Sequence, residues 1–301
     1  RWSYHINGSY TQIGDRKSPD YVLTNTGKQE KSLGFGTMYH HNKLDVKFHY
    51  SFVDQNLALL RASVAESGSS FIRAINSDEP IFVRPFSYEI GEPNQLTQHH
   101  FGKTEVNWYY SDHARFIFRV GRQLNYREEY DVRRNAEKPI IDLDLITSDY
   151  QIEWKHEEWF KLDGRIGLQY FKQENRNNPG TGTTAFIPNY TSDRYSAFII
   201  ESKRFKAKNV FEFGLRLDLE SNDVAGRETS QAIFRDSYQF NNLTASIGYV
   251  REISEHTLFR TNLGTAWRVP NMAELYSFGQ RGFRTSYGLL RYYTNEEDRL
   301  F

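Results

Sequence analysis

Long segments in which apolar and polar residues alternate are the feature that most constrains the fold of this chain. A side-chain period of two is that of a β-strand whose two faces meet different surroundings. The clearest segment covers residues 211–220, where a phenylalanine or leucine stands at every odd position. We expect its apolar members to point out of a curved sheet and its polar members to point to the concave side. The outward set is Phe211, Phe213, Leu215 and Leu217, and the inward set is Glu212, Arg216 and Asp218.

Short turns and long loops alternate between these segments five times, which predicts about eleven strands. The first strand runs from Trp2 to about Asp15, and the predicted hairpins cover residues 33–52, 99–130, 140–175, 194–223 and 241–269. Short turns are expected near residues 41–43, 111–114, 157–160, 206–209 and 254–256. Outer-membrane barrels have short turns on the periplasmic side and long loops outside. The pattern therefore predicts an all-β, antiparallel, up-and-down transmembrane barrel.

Strand length and aromatic content favour a membrane barrel over a soluble sheet. The alternating segments are about ten to sixteen residues long, whereas soluble strands usually have about five or six. A tilted strand crosses a bilayer with about nine to eleven residues. Aromatic residues make up 16% of the chain although its mean hydropathy is −0.71. Several lie close to a short turn, where an interfacial girdle is expected: Tyr39, Trp108, Tyr110, Trp154 and Trp159.

Composition excludes several other classes of protein. The 38 basic and 38 acidic residues cancel, so the charge balance does not indicate a nucleic-acid partner. Cysteine is absent, which excludes a disulfide framework and thiol chemistry. No apolar run reaches the roughly 18 residues that a transmembrane helix needs. The chain begins directly with a strand-like segment and carries no signal peptide. An outer-membrane protein needs such a peptide, so we expect an internal fragment.

Two connections, residues 60–98 and 270–301, are long enough to be functional loops. Loops of this length are uncommon unless they are functional or disordered, and their Tyr, Phe and Arg content argues against disorder. Within the first, we expect residues 67–70 to be flexible and Pro80, Pro85 and Pro93 to prevent any regular element. Residues 16–32, 131–138 and 224–238 are also predicted as connections on this side.

A short motif at the end of the last predicted strand carries a family resemblance. The strand over residues 257–269 stops at Pro270, which has no N–H for a ladder, and Asn271 begins a polar and aromatic loop. Taken alone, this suits an ordinary strand followed by an asparagine-rich turn. Residues 264–275, GTAWRVPNMAEL, also resemble a pattern found late in the barrel of TonB-dependent outer-membrane receptors. The residues that match are Gly264, Trp267, Arg268, Pro270, Asn271, Glu274 and Leu275.

The resemblance implies that residues 1–301 are part of a single β-barrel domain that is incomplete at both ends. Barrels of such receptors have about 22 strands. An odd number of strands leaves an open edge, which lipid does not tolerate. The implied missing parts are the N-terminal plug domain with its TonB-binding region and the closing strands. Residues 121–145, 178–182 and 186–190 further resemble receptors of this class from Bacteroidota-type bacteria.

The resemblance also implies a function. Such a receptor lies in the outer membrane of a Gram-negative bacterium, binds a scarce, large solute and imports it with energy that TonB transmits. It is not an enzyme and needs no cofactor. The implied partners are outer-membrane lipid, the chain's own plug domain and TonB. The implied ligand is a ferric siderophore, haem, cobalamin or an oligosaccharide, with iron complexes the leading class.

Candidate site residues form two groups. Aromatic and arginine residues of the long loops are candidate ligand contacts, although packing within a loop would use the same residue types. They are Phe82, Arg84, Phe86, Tyr88, Tyr276, Phe278, Arg281 and Arg284. Charged residues on the polar strand faces are expected to face the lumen or the plug, because a cation that faces lipid costs about 2–4 kcal/mol at the midplane. They are Arg119, Arg127, Asp163, Arg165, Glu212, Arg216, Asp218, Arg260 and Arg268.

No pattern indicates catalysis or metal binding. The pairs His40–His41 and His99–His100 are strand neighbours, whose side chains point to opposite faces. Residues 156–158, His-Glu-Glu, lack the second histidine of a zinc motif and are expected in a short turn. Neither G-x-S-x-G nor a phosphate-binding G-x-x-x-x-G-K-[ST] occurs. The alternatives are a passive porin, an outer-membrane enzyme barrel and a soluble adhesive or sugar-binding β-protein, which the flanking sequence would distinguish.

Overall fold

A computed structural model of the chain describes residues 1–64, 67–132, 138–205, 208–227, 232–281 and 284–292. Its strands, in chain order, are β1 (Trp2–Ile13), β2 (Arg16–Lys17), β3 (Val22–Leu23), β4 (Lys28–His41), β5 (Leu44–Ala58), β6 (Asn94–Tyr109), β7 (Arg115–Tyr130), β8 (Ile141–Trp159), β9 (Leu162–Asn177), β10 (Asn189–Phe205), β11 (Asn209–Arg227), β12 (Ile233–Ser254), β13 (Thr257–Gly264), β14 (Phe278–Arg281) and β15 (Arg284–Tyr287). Its helices are a 3₁₀ turn (Arg61–Ser63), α1 (Gly68–Ile75), α2 (Met272–Tyr276) and α3 (Leu289–Tyr292).

Eleven long strands form one antiparallel sheet in the order β1, β4, β5 and onward through β13. Every strand therefore pairs with its sequence neighbour among the long strands, as an up-and-down barrel requires. Two small hairpins, β2–β3 and β14–β15, lie in the loops. The predicted number of strands, their antiparallel order and the short turns near residues 41–43, 111–114 and 254–256 are confirmed. None of the described helices is long and apolar enough to span a membrane.

The two faces of the sheet differ in chemistry. On the apolar face large hydrophobic side chains are exposed, and Leu215 near the middle of β11 is 44% exposed. On the polar face hydrophilic side chains are buried against one another, and Asp218 of the same strand is 8% exposed. The other buried side chains of the polar face are Asp45, Asn107, Glu129, Glu153, Asn175, Ser192, Ser196, Glu220 and Asn222. The predicted alternation along 211–219 thus separates two surfaces of opposite character.

One buried polar pair lies on the apolar face. His156 of β8 and Glu201 of β10 are each 2% exposed in their side chains, with Nε2 and Oε1 2.9 Å apart. Gly164 of β9 lies in register between them, and a Cβ there would come within 2.4 Å of Glu201 Oε2. His156 therefore belongs to a strand, and its prediction as part of a turn is wrong: the turn is at Phe160 and Lys161, both with positive φ.

Aromatic side chains collect beside the short turns. The rings of Phe116 and Trp154 are 6.2 Å apart, and those of Trp108 and Phe116 are 5.9 Å apart. Trp154 Nε1 also donates a hydrogen bond of 2.8 Å to the Tyr110 hydroxyl. Trp154 further contacts Trp159, with ring centroids 5.7 Å apart. These residues form a continuous aromatic row on neighbouring strands.

Three predicted loop boundaries are wrong because strand pairing extends further or ends earlier than the pattern indicates. Residues 224–238 were predicted as a loop, yet β11 continues to Arg227 and β12 begins at Ile233. The last strand, β13, ends at Gly264 rather than at residue 269. It is the edge of the sheet, and no described strand pairs with its other side. Just beyond its end the Thr265 side-chain hydroxyl, instead of a backbone carbonyl, accepts from the Ala245 N–H at 2.9 Å, so the ladder with β12 is not continued.

The two long loops also contain regular structure that the sequence analysis did not predict. Helix α1 begins at residues expected to be flexible, since the Ser67 side chain accepts a hydrogen bond from the Ser70 N–H and the Ser70 side chain accepts one from the Ser67 N–H. Such reciprocal capping stabilises the first turn of a helix. The three prolines follow α1 and leave it intact. In the second loop, α2, β14, β15 and α3 replace the expected irregular chain.

Candidate functional site

A carboxylate–arginine network occupies the polar face near the short turns. Arg119 lies between two strands and donates to Glu105 at 2.8 Å and to Glu153 at 3.1 Å. Arg165 approaches the second oxygen of Glu153 at 3.7 Å. Arg119, Asp163, Arg165 and Glu212 line one open cavity of about 720 Å³ on this face. Four of the nine charged residues predicted to face the lumen or plug are therefore brought together.

A second network lies nearer the long loops. The Arg216 Nε contacts both carboxylate oxygens of Asp218 at 3.0 Å, and its Nη2 donates to Gln169 at 3.0 Å. The Ser196 hydroxyl donates to Asp218 at 2.6 Å. Arg127 pairs with Glu129 on the same face. Each of these cations has a partner within the sheet, which lets charge remain on a partly buried surface.

Two of the predicted charged residues lie apart from these networks. Arg260 is exposed on the edge strand β13. Arg268 lies beyond the end of that strand, so its assignment to a lumen-facing strand position is wrong. Both of its terminal nitrogens contact Glu274, at 2.7 Å each. A bidentate pair of this kind fixes the orientation of both side chains.

The family-like motif folds as a capped helix. The Asn271 side chain accepts from the Glu274 N–H at 2.9 Å, and Glu274 accepts from the Asn271 N–H at 2.8 Å. Arg268 and the Asn271 N–H hold the pKa of the Glu274 carboxyl down at about 2. Pro270 lies just before this cap. The motif therefore ends the strand and starts α2 within a few residues.

Helix α2 is seated on a small apolar core at the long-loop end of the polar face. Leu275 is 1% exposed and packs with Met272, Tyr276 and Leu290 against Val224 of β11. Phe234, Tyr238 and Phe240 of β12 complete this core together with Ile187 and Tyr190. Leu275, the last residue of the motif, is thus an anchor of the second loop.

Tyr276 was predicted to contact ligand, and the structure corrects this. Its side chain is 3% exposed, and its hydroxyl donates to Asp236 at 2.5 Å. The ring stacks near Phe234, with centroids 6.3 Å apart. Tyr276 therefore supports the loop instead of offering a free surface. No local pattern points to Asp236, because a carboxylate in a predicted loop carries no information about a tyrosine 40 residues away.

Phe278 lies beside this core and remains partly exposed. Its ring is 5.2 Å from that of Tyr287, and the Arg291 guanidinium lies 4.9 Å from it and 4.3 Å from the Phe234 ring. Phe278, Phe234 and Arg291, together with Arg127, line a cavity of about 520 Å³ between the sheet and the 178–187 loop. The side chains of Arg281 and Arg284 lie outside the described residues.

The first long loop folds back onto the connection between β1 and β4. The Asn25 side chain donates to the carbonyls of Leu59 and Pro93 at 2.8 and 2.9 Å and accepts from the Gly91 N–H at 2.9 Å. Its φ of 61° is in the left-handed region, which asparagine tolerates better than most residues. Asn25 was not among the predicted residues, although the sequence Asn-Thr-Gly at this point is typical of a turn.

Asp15 strengthens the same junction. Its carboxylate accepts from the Thr26 N–H at 2.9 Å and from the Ser87 N–H at 3.3 Å. Its own N–H donates to the Ser87 carbonyl at 2.9 Å. Gly14 allows the loop to approach, since a Cβ there would lie 2.4 Å from the Phe86 ring. The loop therefore contacts the end of β1 through backbone groups.

The four predicted ligand contacts of the first loop have different surroundings. Phe82 lies under the Arg61 guanidinium at 3.9 Å, so its ring takes part in loop packing. Phe86 and Tyr88 are exposed and contact each other edge to face, with centroids 5.1 Å apart. Arg84 is exposed. In the sheet order these residues are far from Phe278, because seven further strands separate β6 from the chain end after β13.

Among the described residues, no group of three or more His, Cys, Asp or Glu side chains is arranged to hold a metal ion. The histidine pairs of the sequence are spread over both faces of the sheet. His100 on the apolar face contacts the Tyr50 hydroxyl at 2.9 Å, and His99 on the polar face contacts Asn125 at 3.1 Å.

A family model described as TonB dependent receptor-like, beta-barrel matches residues 1–296. A search of curated proteins found no match. The chain is similar in structure to the ferric-catecholate import receptor Fiu from E. coli K12 in its closed form, with a TM-score of 0.67, 11% identity, and coverage of 94% of this chain and 49% of that one.

Two further solved structures show the same fold. The siderophore receptor PiuA from Acinetobacter baumannii has a TM-score of 0.62 and 10% identity over 87% of this chain and 44% of its own. The hemophore receptor HasR from Serratia marcescens, in complex with its hemophore and heme, has a TM-score of 0.61 and 11% identity over 95% of this chain and 43% of its own. This chain thus spans about half the length of each of these proteins.

Proposed function

Because the chain belongs to the TonB-dependent receptor-like β-barrel family, we propose that it forms about half of the barrel of a receptor that imports a scarce, large solute. The family consists of outer-membrane transporters and receptors of Gram-negative bacteria, not of enzymes. In the complete protein, energy transmitted by TonB remodels a plug domain that belongs to the same chain. We further infer that the source is a Bacteroidota-type bacterium, from the resemblance of residues 121–145.

The observation that carries the proposal is the separation of two faces on an eleven-stranded sheet. Leu215 and its neighbours expose an apolar band, which suits contact with lipid, while the buried charge networks around Arg119 and Arg216 suit a lumen that holds a polar plug. A soluble sheet would instead bury its apolar face against a second layer. A passive porin has no plug to meet these networks.

The ligand that we propose is a ferric siderophore or another iron complex. Two structural neighbours are named as a ferric-catecholate import receptor and a siderophore receptor, and a third is in complex with heme. Exposed Arg84, Phe86 and Tyr88 on one loop and Phe278 on the other are suitable contacts for a large, anionic and partly aromatic solute. Haem, cobalamin and an oligosaccharide are the other ligand classes to be compared.

Uptake by the complete receptor tests this proposal. Cells that produce it should accumulate radioactive iron from a supplied ferric siderophore, and cells that lack TonB should bind the complex without importing it. Entry of small solutes that does not depend on TonB would identify a porin instead. A panel of ferric catecholate, ferric hydroxamate, haem, cobalamin and oligosaccharide then assigns the ligand class.

Two variants test the roles that we propose for the first long loop and for the apolar face of the sheet. Deleting residues 69–93 should weaken ligand binding while the barrel stays folded, as judged by its heat-modifiable electrophoretic mobility. Unchanged affinity and uptake would show that this loop is not part of the binding site.

Leu215→Arg should destabilise the folded barrel in bilayers by about 2–4 kcal/mol if the side chain faces lipid near the midplane. A loss near zero would show that this face does not contact lipid.

A further inference from the structure

Two histidines on the polar face lie on either side of a glycine. His5 of β1, Gly36 of β4 and His49 of β5 are in register on three neighbouring strands. The His5 ring leans over the glycine, since a Cβ on Gly36 would lie 2.0 Å from His5 Cε1 and 2.7 Å from its Nε2. The centroids of the two imidazole rings are 6.3 Å apart. A metal ion about 2 Å from one nitrogen of each ring fits between rings at this separation.

The ring nitrogens of both histidines are free to bind a ligand. Within the described part of the chain, no group forms a hydrogen bond with the His5 or the His49 ring. Four other strand histidines each contact a neighbouring side chain in this way, namely His40 with Asp45, His99 with Asn125, His100 with Tyr50 and His156 with Glu201. A neutral imidazole without a protein partner can present its lone pair to a metal ion.

Met38 adds a thioether to the same surface. It lies two residues along β4 from Gly36, which makes it a diagonal neighbour of both histidines, within reach of a long side chain. The side chains of His5, His49 and Met38 line one open cavity of about 630 Å³. The other methionine of the chain, Met272, is buried in the apolar core, whereas Met38 is partly exposed among polar groups. Apolar burial therefore does not account for Met38 as it does for Met272.

The charges around this group favour a monovalent ion over a divalent one. Lys103 of β6 is exposed and in register with His49, and Lys47 is in register with Met38. The nearby Glu105 carboxylate is shared between Lys47 at 3.5 Å and an arginine at 2.8 Å. A second positive charge on the ion is unfavourable beside two ammonium groups. Among metals, thioether ligands select Cu(I), and imidazole also suits copper.

We propose that His5, His49 and Met38 bind one soft, monovalent metal ion of the Cu(I) class on the polar face. Two imidazole nitrogens and one thioether sulfur are its protein ligands. The inference goes beyond the proposed function, whose ligand is an iron complex. It does not depend on that function, because the site requires only that β1, β4 and β5 keep the register that they have here.

Binding of Ag(I) to the complete receptor tests the proposal by isothermal titration calorimetry in a chloride-free buffer. Ag(I) has the charge and the ligand preference of Cu(I) and is stable in air. His5→Gln, His49→Gln and Met38→Leu each remove one ligand. Each should weaken one binding event by about 10–100-fold, the loss seen even for groups that only orient metal ligands. Heat-modifiable electrophoretic mobility shows which variants are folded, and any one of the three is a sufficient test.

The matched controls change the same residue types elsewhere. His99→Gln alters a polar-face histidine that contacts Asn125, and Met272→Leu alters the methionine of the apolar core. Both controls should bind Ag(I) like the unaltered protein. Equal affinity of the ligand variants and the controls would overturn the proposal, and would leave His5 and His49 with a role in ring packing alone. Displacement of Ag(I) by an equimolar amount of Zn(II) would contradict a soft, monovalent ion.

The ligand set is tested separately by X-ray absorption of the receptor loaded with one equivalent of Cu(I) under reducing conditions. The unaltered protein should show both nitrogen and sulfur neighbours, and Met38→Leu should show nitrogen alone. A sulfur neighbour that persists in this variant would overturn the assignment of Met38. Uptake of the ferric siderophore by the same variants should remain normal, so failure here is distinguishable from failure of the proposed function.

Discussion

The two long loops are held to the sheet by opposite kinds of contact. The first loop, residues 59–93, is joined to the connection between β1 and β4 by hydrogen bonds between its backbone groups and the side chains of Asn25 and Asp15. The second loop, residues 265–292, inserts Leu275 and its neighbours into an apolar core on β11 and β12. One loop is therefore held mainly by directional polar contacts and the other mainly by apolar burial.

We expect the two loops to differ in the free energy that is needed to detach each of them from the sheet. Water can replace a hydrogen bond, and the net contribution of each to stability is only about 0.5–1.5 kcal/mol. Removing a buried leucine from its core exposes apolar surface that water cannot satisfy, at about 25 cal/mol per Å². We therefore expect the first loop to open more readily than the second. Amide hydrogen exchange in the complete receptor measures both opening free energies.

The largest effect is expected from Leu275→Ala. The side chain is almost fully buried, so its truncation should lower the opening free energy of the second loop by about 2–5 kcal/mol. Faster exchange confined to α2, β14, β15 and α3 is the expected readout. Ile75→Ala on the exposed face of α1 is the control and should change exchange by less than about 0.5 kcal/mol. Equal effects would show that the apolar core does not hold the loop.

Asn25→Ala should have the next largest effect. It leaves the Leu59 and Pro93 carbonyls and the Gly91 N–H without their partner, which should lower the opening free energy of the first loop by about 1–3 kcal/mol. Asn42→Ala changes an exposed asparagine with φ of 47° in a short turn, and so reports the backbone cost alone. Similar losses for both variants, each measured next to its own site, would mean that the Asn25 side-chain bonds contribute little.

Ser67→Ala tests whether helix α1 opens separately from the rest of the first loop. The Ser67 side chain caps α1, and loss of such a cap costs about 0.5–2 kcal/mol. Faster exchange should be limited to α1, because the Asn25 contacts lie on other residues. Ile72→Ala, at an exposed position of α1, keeps the N-terminal cap and serves as the control. Spread of the effect to residues 84–93 would show that α1 and the Asn25 junction open together.

The smallest effect that we expect is a pH dependence of α2 opening, caused by the Arg268–Glu274 ion pair. The folded state lowers the pKa of Glu274 to about 2 from an ordinary 4.5, so its contribution is present above pH 4.5 and disappears as the pH falls toward 2. Exchange of the first α2 amides should therefore accelerate over this acidic window. Arg268→Gln should reduce this pH dependence. A pH dependence that is the same in the variant would exclude the pair as its cause.

The period of two in the sequence was sufficient to predict the eleven-stranded sheet. Strand number, antiparallel order, turn positions and the two faces depend on a period of two and on short-range turn chemistry, which are local properties of the chain. The motif from Gly264 to Leu275 pointed to the family for a similar reason, since strand end, proline and helix cap are consecutive residues. Arg119, Asp163, Arg165 and Glu212 were likewise selected by alternation alone, and the register of the strands brings them to one cavity.

Only the tertiary structure decided how the loops fold and where the last strand ends. Strand β13 ends at Gly264 although its alternation continues to Val269, because the Thr265 side chain takes the Ala245 N–H that would continue the ladder with β12. Tyr276 is buried because Phe234 and Asp236, about 40 residues earlier, lie opposite it. Asn25 holds a loop whose end is 68 residues away. These contacts join residues remote in sequence, and a local pattern contains no information about which distant groups will share one surface.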